Sequence, residues 1–371
     1  MIYITHYRTA STTEKTLIDD IPYPQHAHIL PKTFKRAKRG MSYPPHKLLE
    51  GLLDEDLLNY VRDNPVKGKT GFLFAAGNQG WMGNNGRYDK DPSTQLHYKV
   101  KVPFIVLSNI YAGRIAGMFG VHDHVSTDAS ACASSLKVLM DMQNLMNNFG
   151  FDRVVVFTGE DSVNNLVLEF FGEAGASLQH KDEGDMQPSA FDERNQGFHI
   201  GQGAAVMVFE KEHPNMADPA ATFLGAYSSA EDNTNPLGQR SDGSGYSKAI
   251  EGALYIANLP PNCVKLVKTH GTGTPVNNAA ERTALLRSLG PDFIATSYKP
   301  LVGHTMGASG LLETGLLLDD MKRNYVPKIL NRTAYDPVFL SESAEVPVGP
   351  FLSLAAGMGN IYSAALFLPA S

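Results

Sequence analysis

From Thr70 onward, short apolar runs alternate with stretches whose apolar positions recur at helical spacing. The pattern predicts strands at Gly71–Ala76, Val125–Ala129 and Arg153–Gly159, separated by helices at Phe104–Met118 and Ala133–Asn147. It resumes with strands at Gly203–Phe209 and Ala221–Ser228, a helix at Tyr246–Ala257, a strand at Cys263–His270, a helix at Ala279–Leu289, a strand at Phe293–Ser297 and a helix at Leu311–Lys322. Two last apolar runs, Phe351–Ala356 and Ser363–Leu368, read as strands. Continuous apolar strands between helices imply sheets covered on both faces, hence an α/β fold of two similar halves joined near Asp192–Gly203. Residues 1–69 break this rhythm, because Pro22, Pro24, Pro31, Pro44, Pro45 and Pro65 interrupt long elements and leave one helix near His46–Arg62. The expected organisation is a surface segment over 1–69, a first half over 70–200 and a second over 201–371. Glu173–Pro188, rich in Gly, Asp and Gln, reads as a loop or cap.

A chain of 371 residues with 43% hydrophobic and 19% charged residues builds a packed core easily. Cys132 and Cys263 are the only two cysteines, which excludes a disulfide framework and points to a reduced, cytoplasmic setting. The net charge of −6 gives no global attraction to nucleic acid or anionic membrane. The most apolar window, Val102–Val121, is broken by Pro103, Ser108, Asn109 and Arg114, short of the run of about 18 residues that spans a bilayer. The N-terminal residues show no secretion signal.

Three clusters carry candidate chemistry, each where a strand ends and a helix begins. Ser130-Ala131-Cys132-Ala133-Ser134-Ser135-Leu136 places a thiol at a helix start, where unpaired N–H groups favour thiolate; taken alone, this cluster reads more readily as a small buried apolar cysteine in an Ala/Ser-rich packing spot. Cys263 has no such surroundings and reads as inert. Lys268-Thr269-His270-Gly271-Thr272-Gly273-Thr274-Pro275 pushes a histidine out of the sheet on a glycine-rich turn that lacks the Walker lysine and the dinucleotide spacing. Ser297-Tyr298-Lys299-Pro300-Leu301-Val302-Gly303-His304-Thr305-Met306-Gly307-Ala308-Ser309-Gly310 sets a lysine five residues before a second histidine. All three converge at carboxyl ends of strands, where open α/β sheets bind ligands. His122-Asp123-His124 lacks accompanying ligands and reads as a turn, not a metal site.

Together these residues resemble the β-ketoacyl synthases of the condensing-enzyme, thiolase-fold superfamily. The likeness covers the Cys132 turn, Thr269-His270-Gly271-Thr272-Gly273-Thr274, Lys299 with Gly303-His304, and Phe191-Asp192-Glu193-Arg194-Asn195-Gln196-Gly197-Phe198 continued by Gly201-Gln202-Gly203-Ala204-Ala205. It implies a thiolase-like fold of two pseudo-repeated α/β halves in α-β-α-β-α layers. Cys132, His270 and His304 fit the decarboxylative elongating members, which need no cofactor or metal. By resemblance, Cys132 takes an acyl group from acyl carrier protein, while backbone N–H groups of Cys132 and Met358 hold the oxyanion. His270 and His304 then stabilise the enolate formed when a malonyl unit loses carbon dioxide. Lys299 orients them with Glu281 as its partner, Thr272 and Thr274 stand behind, and Phe198 and Met358 gate the pocket.

Met358 stands where the family has phenylalanine, and Asn277-Asn278 replace its Gly-Asp, asparagine being suited to a left-handed turn. Lys32, Lys35, Arg36, Lys38 and Arg39 form a basic cluster that reads as a solvated face, with carrier docking the alternative. Val102–Tyr111 resembles the segment reaching the partner's pocket in family dimers, homo- or heteromeric. The competing readings are a thiolase-fold acyltransferase without decarboxylation and a non-catalytic subunit of a ketosynthase heterodimer.

Overall fold

The computed structural model describes residues 1–12, 14–18, 25–28, 30, 52, 55–77, 108–163, 165–179, 187–194, 196–233, 235 and 238–370. In chain order the first half contains β1 (Ile2–Ala10), β2 (Lys15–Ile18), β3 (Gln25–His28), α1 (Glu55–Asp63), β4 (Lys69–Ala75), α2 (Ser108–Met118), β5 (His124–Asp128), α3 (Ser134–Asn148), β6 (Phe151–Asp161), α4 (Asn165–Glu173) and β7 (Ile200–Glu210). The second contains β8 (Ala221–Ala230), α5 (Ser244–Ala257), β9 (Leu266–Lys268), α6 (Pro275–Leu289), β10 (Ile294–Thr296), α7 (Lys299–Val302), α8 (Ser309–Met321), β11 (Phe351–Gly357) and β12 (Ile361–Pro369).

The hydrogen-bonded path runs β10-β9-β11-β12-β8-β1-β7-β6-β4-β5. It is one motif used twice. β5-β4-β6-β7-β1 and β10-β9-β11-β12-β8 have the same order and directions: β4 and β9 lie parallel to both neighbours, whereas β7 and β12 run antiparallel to theirs. The two motifs join where Ile2–Ile4 of β1 pair antiparallel with Ala221–Phe223 of β8, beside a register shift between Ile4 and His6.

Strand side chains alternate between faces, so the residues name the layers. Leu73, Ala75, Val154, Val156, Ala205, Met207 and Phe209 point to a central core shared with Leu136, Leu139 and Met142 of α3 and Leu311, Leu312 and Leu318 of α8. Their neighbours Phe72, Phe74, Val155, Phe157, Ala204, Val206 and Val208 point outward to α1 and α2. In the second half Phe351, Ala355, Ala365 and Phe367 join the central core, whereas Leu352, Leu354, Ala364 and Leu366 face α5 and α6. Both faces of each motif are therefore covered, giving the expected α-β-α-β-α layering. Each large side chain so buried contributes about 1.5–3 kcal/mol. Among the described residues, no helix is long and apolar enough to cross a membrane.

Several expectations are corrected. Residues 1–69 are not wholly a surface layer, since β1 sits mid-sheet between β7 and β8. Its polar alternation hid this: buried Thr5 is satisfied by Glu210 Oε2 at 2.6 Å, a partner remote in sequence. The boundary expected at 200/201 falls inside β7; the repeat divides between β7 and β8 instead. The helix expected over His46–Arg62 is described as Glu55–Asp63, and the Cys263–His270 strand shrinks to Leu266–Lys268 because Pro261–Cys263 forms a 3-10 turn. Asn277 and Asn278 lie within α6, which starts at Pro275, and neither takes a left-handed conformation. The basic cluster at 32–39 and residues 102–107 lie outside the described residues.

Candidate active site

The two halves present equivalent turns at the centre. Asp128 ends β5, and Ala131–Ala133 forms a 3-10 turn leading into α3; in the second half, Met306–Ala308 does the same before α8. Ala131 and Met306 both adopt φ of 48°, a left-handed conformation unusual for a residue with a side chain. That kink turns Cys132 away from the sheet. Gly77, just after β4, is wedged between the turns: a Cβ there would lie 2.9 Å from the Gly307 nitrogen and 3.0 Å from the Ala131 carbonyl. The sulfurs of Cys132 and Met306 are 4.0 Å apart.

Cys132, His270, His304, Thr272, Thr274, Phe198 and Met358 line one cavity of about 280 Å³. The His270 and His304 rings meet edge to face with centroids 5.6 Å apart, and Phe198 lies edge-on to His304 at 4.9 Å. Phe171 of α4 continues this aromatic wall at 5.6 Å from Phe198. Met358 belongs to the tight β11–β12 turn. A Cβ on Gly357 would come within 2.5 Å of the Ser130 carbonyl, so only glycine lets that turn rest on the Cys132 turn. Thr272 and Thr274, expected behind the site, stand on the cavity wall with hydroxyl oxygens 3.1 Å apart.

The electrostatics are set by burial. It pushes the Cys132 thiol up to about 12, against the opposing pull of the Lys299 ammonium. The helix start does not overcome this, so the resting group is a thiol, contrary to the thiolate anticipated from sequence. Burial, reinforced by Lys299, holds both His270 and His304 well below the ordinary histidine range and therefore neutral. Ser309 Oγ lies 2.9 Å from His304 Nδ1 and 3.2 Å from Thr305 Oγ1. With Ser309 donating to Nδ1, the His304 ring proton resides on Nε2.

Lys299 is buried outside the cavity lining, and its partner is not Glu281. Its Nζ donates to Glu313 Oε1 at 2.9 Å. Glu281 instead accepts the backbone N–H groups of His270 at 2.5 Å and Gly271 at 2.9 Å, and the Asn277 side-chain amide at 3.0 Å. It shapes the histidine turn. Asn277 in turn accepts the Tyr246 hydroxyl at 2.6 Å, which gives this asparagine a buried structural use. Sequence reasoning missed Glu313 and Ser309. The signal for Glu313 was a lone carboxylate inside the apolar Leu311–Leu318 stretch. In the candidate metal motif, Asp123 accepts the Thr70 N–H, and among the described residues no cluster could hold a metal ion.

A buried thiol and two imidazoles thus line one cavity in a thiolase-like fold of duplicated α/β halves. Residues 51–215 match the family model of the β-ketoacyl synthase N-terminal domain and residues 220–333 that of its C-terminal domain. The chain belongs to the β-ketoacyl synthase family. It is 27% identical over 265 residues to a putative polyketide β-ketoacyl synthase 1 of Streptomyces cyaneus, covering 69% of this chain and 63% of that protein. It is 26% identical over 255 residues to a 3-oxoacyl-[acyl-carrier-protein] synthase 2 of Synechocystis sp., covering 67% of this chain and 60% of that protein. These matches thus span less than two thirds of the relatives' length. Among solved structures, the fold superposes with a TM-score of 0.85 and 17% identity on a chain of a type II PKS acyl-carrier protein in complex with its ketosynthase, covering 100% of this chain and 99% of that one. A β-ketoacyl synthase from Burkholderia phymatum gives 0.82 at 19% identity, with coverage of 100% and 99%.

Proposed function

We propose that the protein is a β-ketoacyl-[acyl-carrier-protein] synthase performing decarboxylative Claisen condensation in fatty-acid, polyketide or polyene biosynthesis. The observation that carries the reading is the shared cavity of Cys132, His270 and His304. Cys132 Sγ attacks the thioester carbonyl of an acyl carrier protein. The carrier's sulfur leaves with the thiol proton, and the acyl group remains on Cys132. Backbone N–H groups of Cys132 and Met358 are assigned to the transient oxyanion, in keeping with the contact between their two turns.

A malonyl thioester then occupies the cavity. Its carboxylate departs as carbon dioxide, leaving the bonding electrons on the thioester enolate. Neutral His270 and His304 donate ring N–H groups to that enolate oxygen, a role that requires the depressed basicity both show. The carbanion attacks the acyl carbonyl, the new C–C bond forms, and Cys132 sulfur is expelled and reprotonated. Lys299 with Glu313 supplies a fixed charge pair behind the rings. Phe198 and Met358 shape the acyl entrance.

The proposal assigns acyl carrier protein as the partner and a homo- or heterodimer as the working assembly. It is supported by structural neighbours that are a ketosynthase bound to its carrier protein and a ketosynthase with its chain length factor. It places the reaction in the cytoplasm, where Cys132 stays reduced. Retention of Cys132 favours catalysis over the non-catalytic subunit role. Intact-mass analysis with acyl-carrier thioesters should show an adduct on the wild type and none on Cys132→Ala; an adduct on the alanine variant refutes the nucleophile. Carbon dioxide release from malonyl carrier protein separates condensation from simple acyl transfer. His304→Ala should depress that release more than loading.

A further inference from the structure

Lys268 ends β9, in register with Thr296 of β10 and Ser353 of β11. Its side chain is fully buried, as are Glu313 and, to within 1%, Lys299. Lys268 Nζ donates to Glu313 Oε2 at 3.1 Å and to the Leu354 carbonyl at 2.8 Å, while Lys299 takes the other Glu313 oxygen. One ammonium would neutralise this carboxylate, and a second costs several kcal/mol to bring out of water. The second cation therefore answers another need. Its position indicates which one: His270 lies two residues beyond it, and Leu354 lies on the strand that carries Gly357 onto the Cys132 turn.

We propose that Lys268 is a positioning residue that shares Glu313 with Lys299, anchors the pair to β11, and so fixes the charged wall behind His270 and His304. The inference rests on the condensing reading above. The charged groups facing Lys268 are Glu313 from α8, Lys299 from α7 and Glu281 from α6, with the two histidines beside them. With Lys299, Lys268 adds to the positive field that keeps both imidazoles neutral. Burial lowers Lys268 to about 8, with Glu313 opposing. Its ammonium is thus present below about pH 8 and lost above it.

Two measurements on the full chain test this. Histidine ring ¹⁵N NMR, with resonances assigned through His270→Ala and His304→Ala, should show both imidazoles protonating at higher pH in Lys268→Met, because one opposing cation is gone. Malonyl decarboxylation in the wild type should fall above about pH 8, and Lys268→Met should lose that alkaline limb while decarboxylation drops more than acyl loading. An unmoved imidazole titration overturns the proposal. So does an unchanged profile with loading and decarboxylation reduced equally, the mark of a merely structural residue. If Lys268→Met does not fold, Lys268→Gln takes its place, and a wild-type profile flat through pH 8 is itself refuting. A wild type that never decarboxylates malonyl carrier protein sinks the condensing reading, while the NMR titration still judges Lys268.

Discussion

Replacing Glu313 by leucine isolates the energetics of the buried charges. The carboxylate has no exposure and binds two ammonium groups, at 2.9 Å and 3.1 Å, that are themselves out of contact with water. Removing one partner of a buried ion pair costs about 3–5 kcal/mol, because the charge left behind has neither solvent nor counterion. Here two cations are orphaned, but they can shed protons. Lys268 already sits near 8 with Glu313 raising it, so without that carboxylate it becomes neutral at lower pH, which caps the loss. We therefore expect Glu313→Leu to lose about 3–5 kcal/mol at pH 7. The pH dependence follows from linkage. A lysine with a depressed folded value is deprotonated in the native state while the unfolded chain still binds its proton, so stability rises with pH until the unfolded lysine titrates at about 10.4. The variant should recover part of its deficit between pH 7 and about pH 8, above which the wild-type Lys268 is also neutral and both proteins gain stability in parallel. Urea unfolding at fixed protein concentration, at several pH values, measures both effects. A loss under about 1 kcal/mol, or a deficit that does not change with pH, would refute the reasoning.

Ser309→Ala removes the hydroxyl 2.9 Å from His304 Nδ1; a net hydrogen bond of about 0.5–1.5 kcal/mol predicts a roughly two- to tenfold slower decarboxylation, measured as carbon dioxide release, with acyl loading retained. Met358→Phe replaces a flexible thioether on the cavity wall with a rigid ring and should shift selectivity toward shorter acyl chains in a mass-spectrometric competition. An unaltered preference would remove Met358 as a gate. Gly357→Ala drives a Cβ to 2.5 Å from the Ser130 carbonyl; it should cost about 1–3 kcal/mol in denaturant titration and impair loading by shifting the Met358 turn.

The layered fold was legible because buried strands and amphipathic helices have different periods, and Phe72-Leu73-Phe74-Ala75 announces a strand apolar on both faces. β1 was not, because half its residues are polar and their partners, such as Glu210, lie two hundred positions away. Cys132, His270 and His304 stood out as reactive types at strand ends, and the structure brings all three to one cavity. Glu313 did not, because a single acid on a Leu-rich helix gives no hint of facing two lysines. Choosing Glu281 for Lys299 failed for a similar reason: both acids lie near in space, and only the side-chain paths decide that one caps a backbone turn while the other meets the ammonium.

The duplicated elbow has a consequence for how reactive the molecule can become. In the second copy, Gly307 occupies the place that Cys132 holds in the first, and its missing side chain is what allows the Gly77 backbone to pass. A thiol engineered there would collide with main chain before it could meet any substrate. Internal symmetry therefore stops short of chemistry: under the function proposed above each polypeptide has one loading thiol, and the second copy serves as packing against the first.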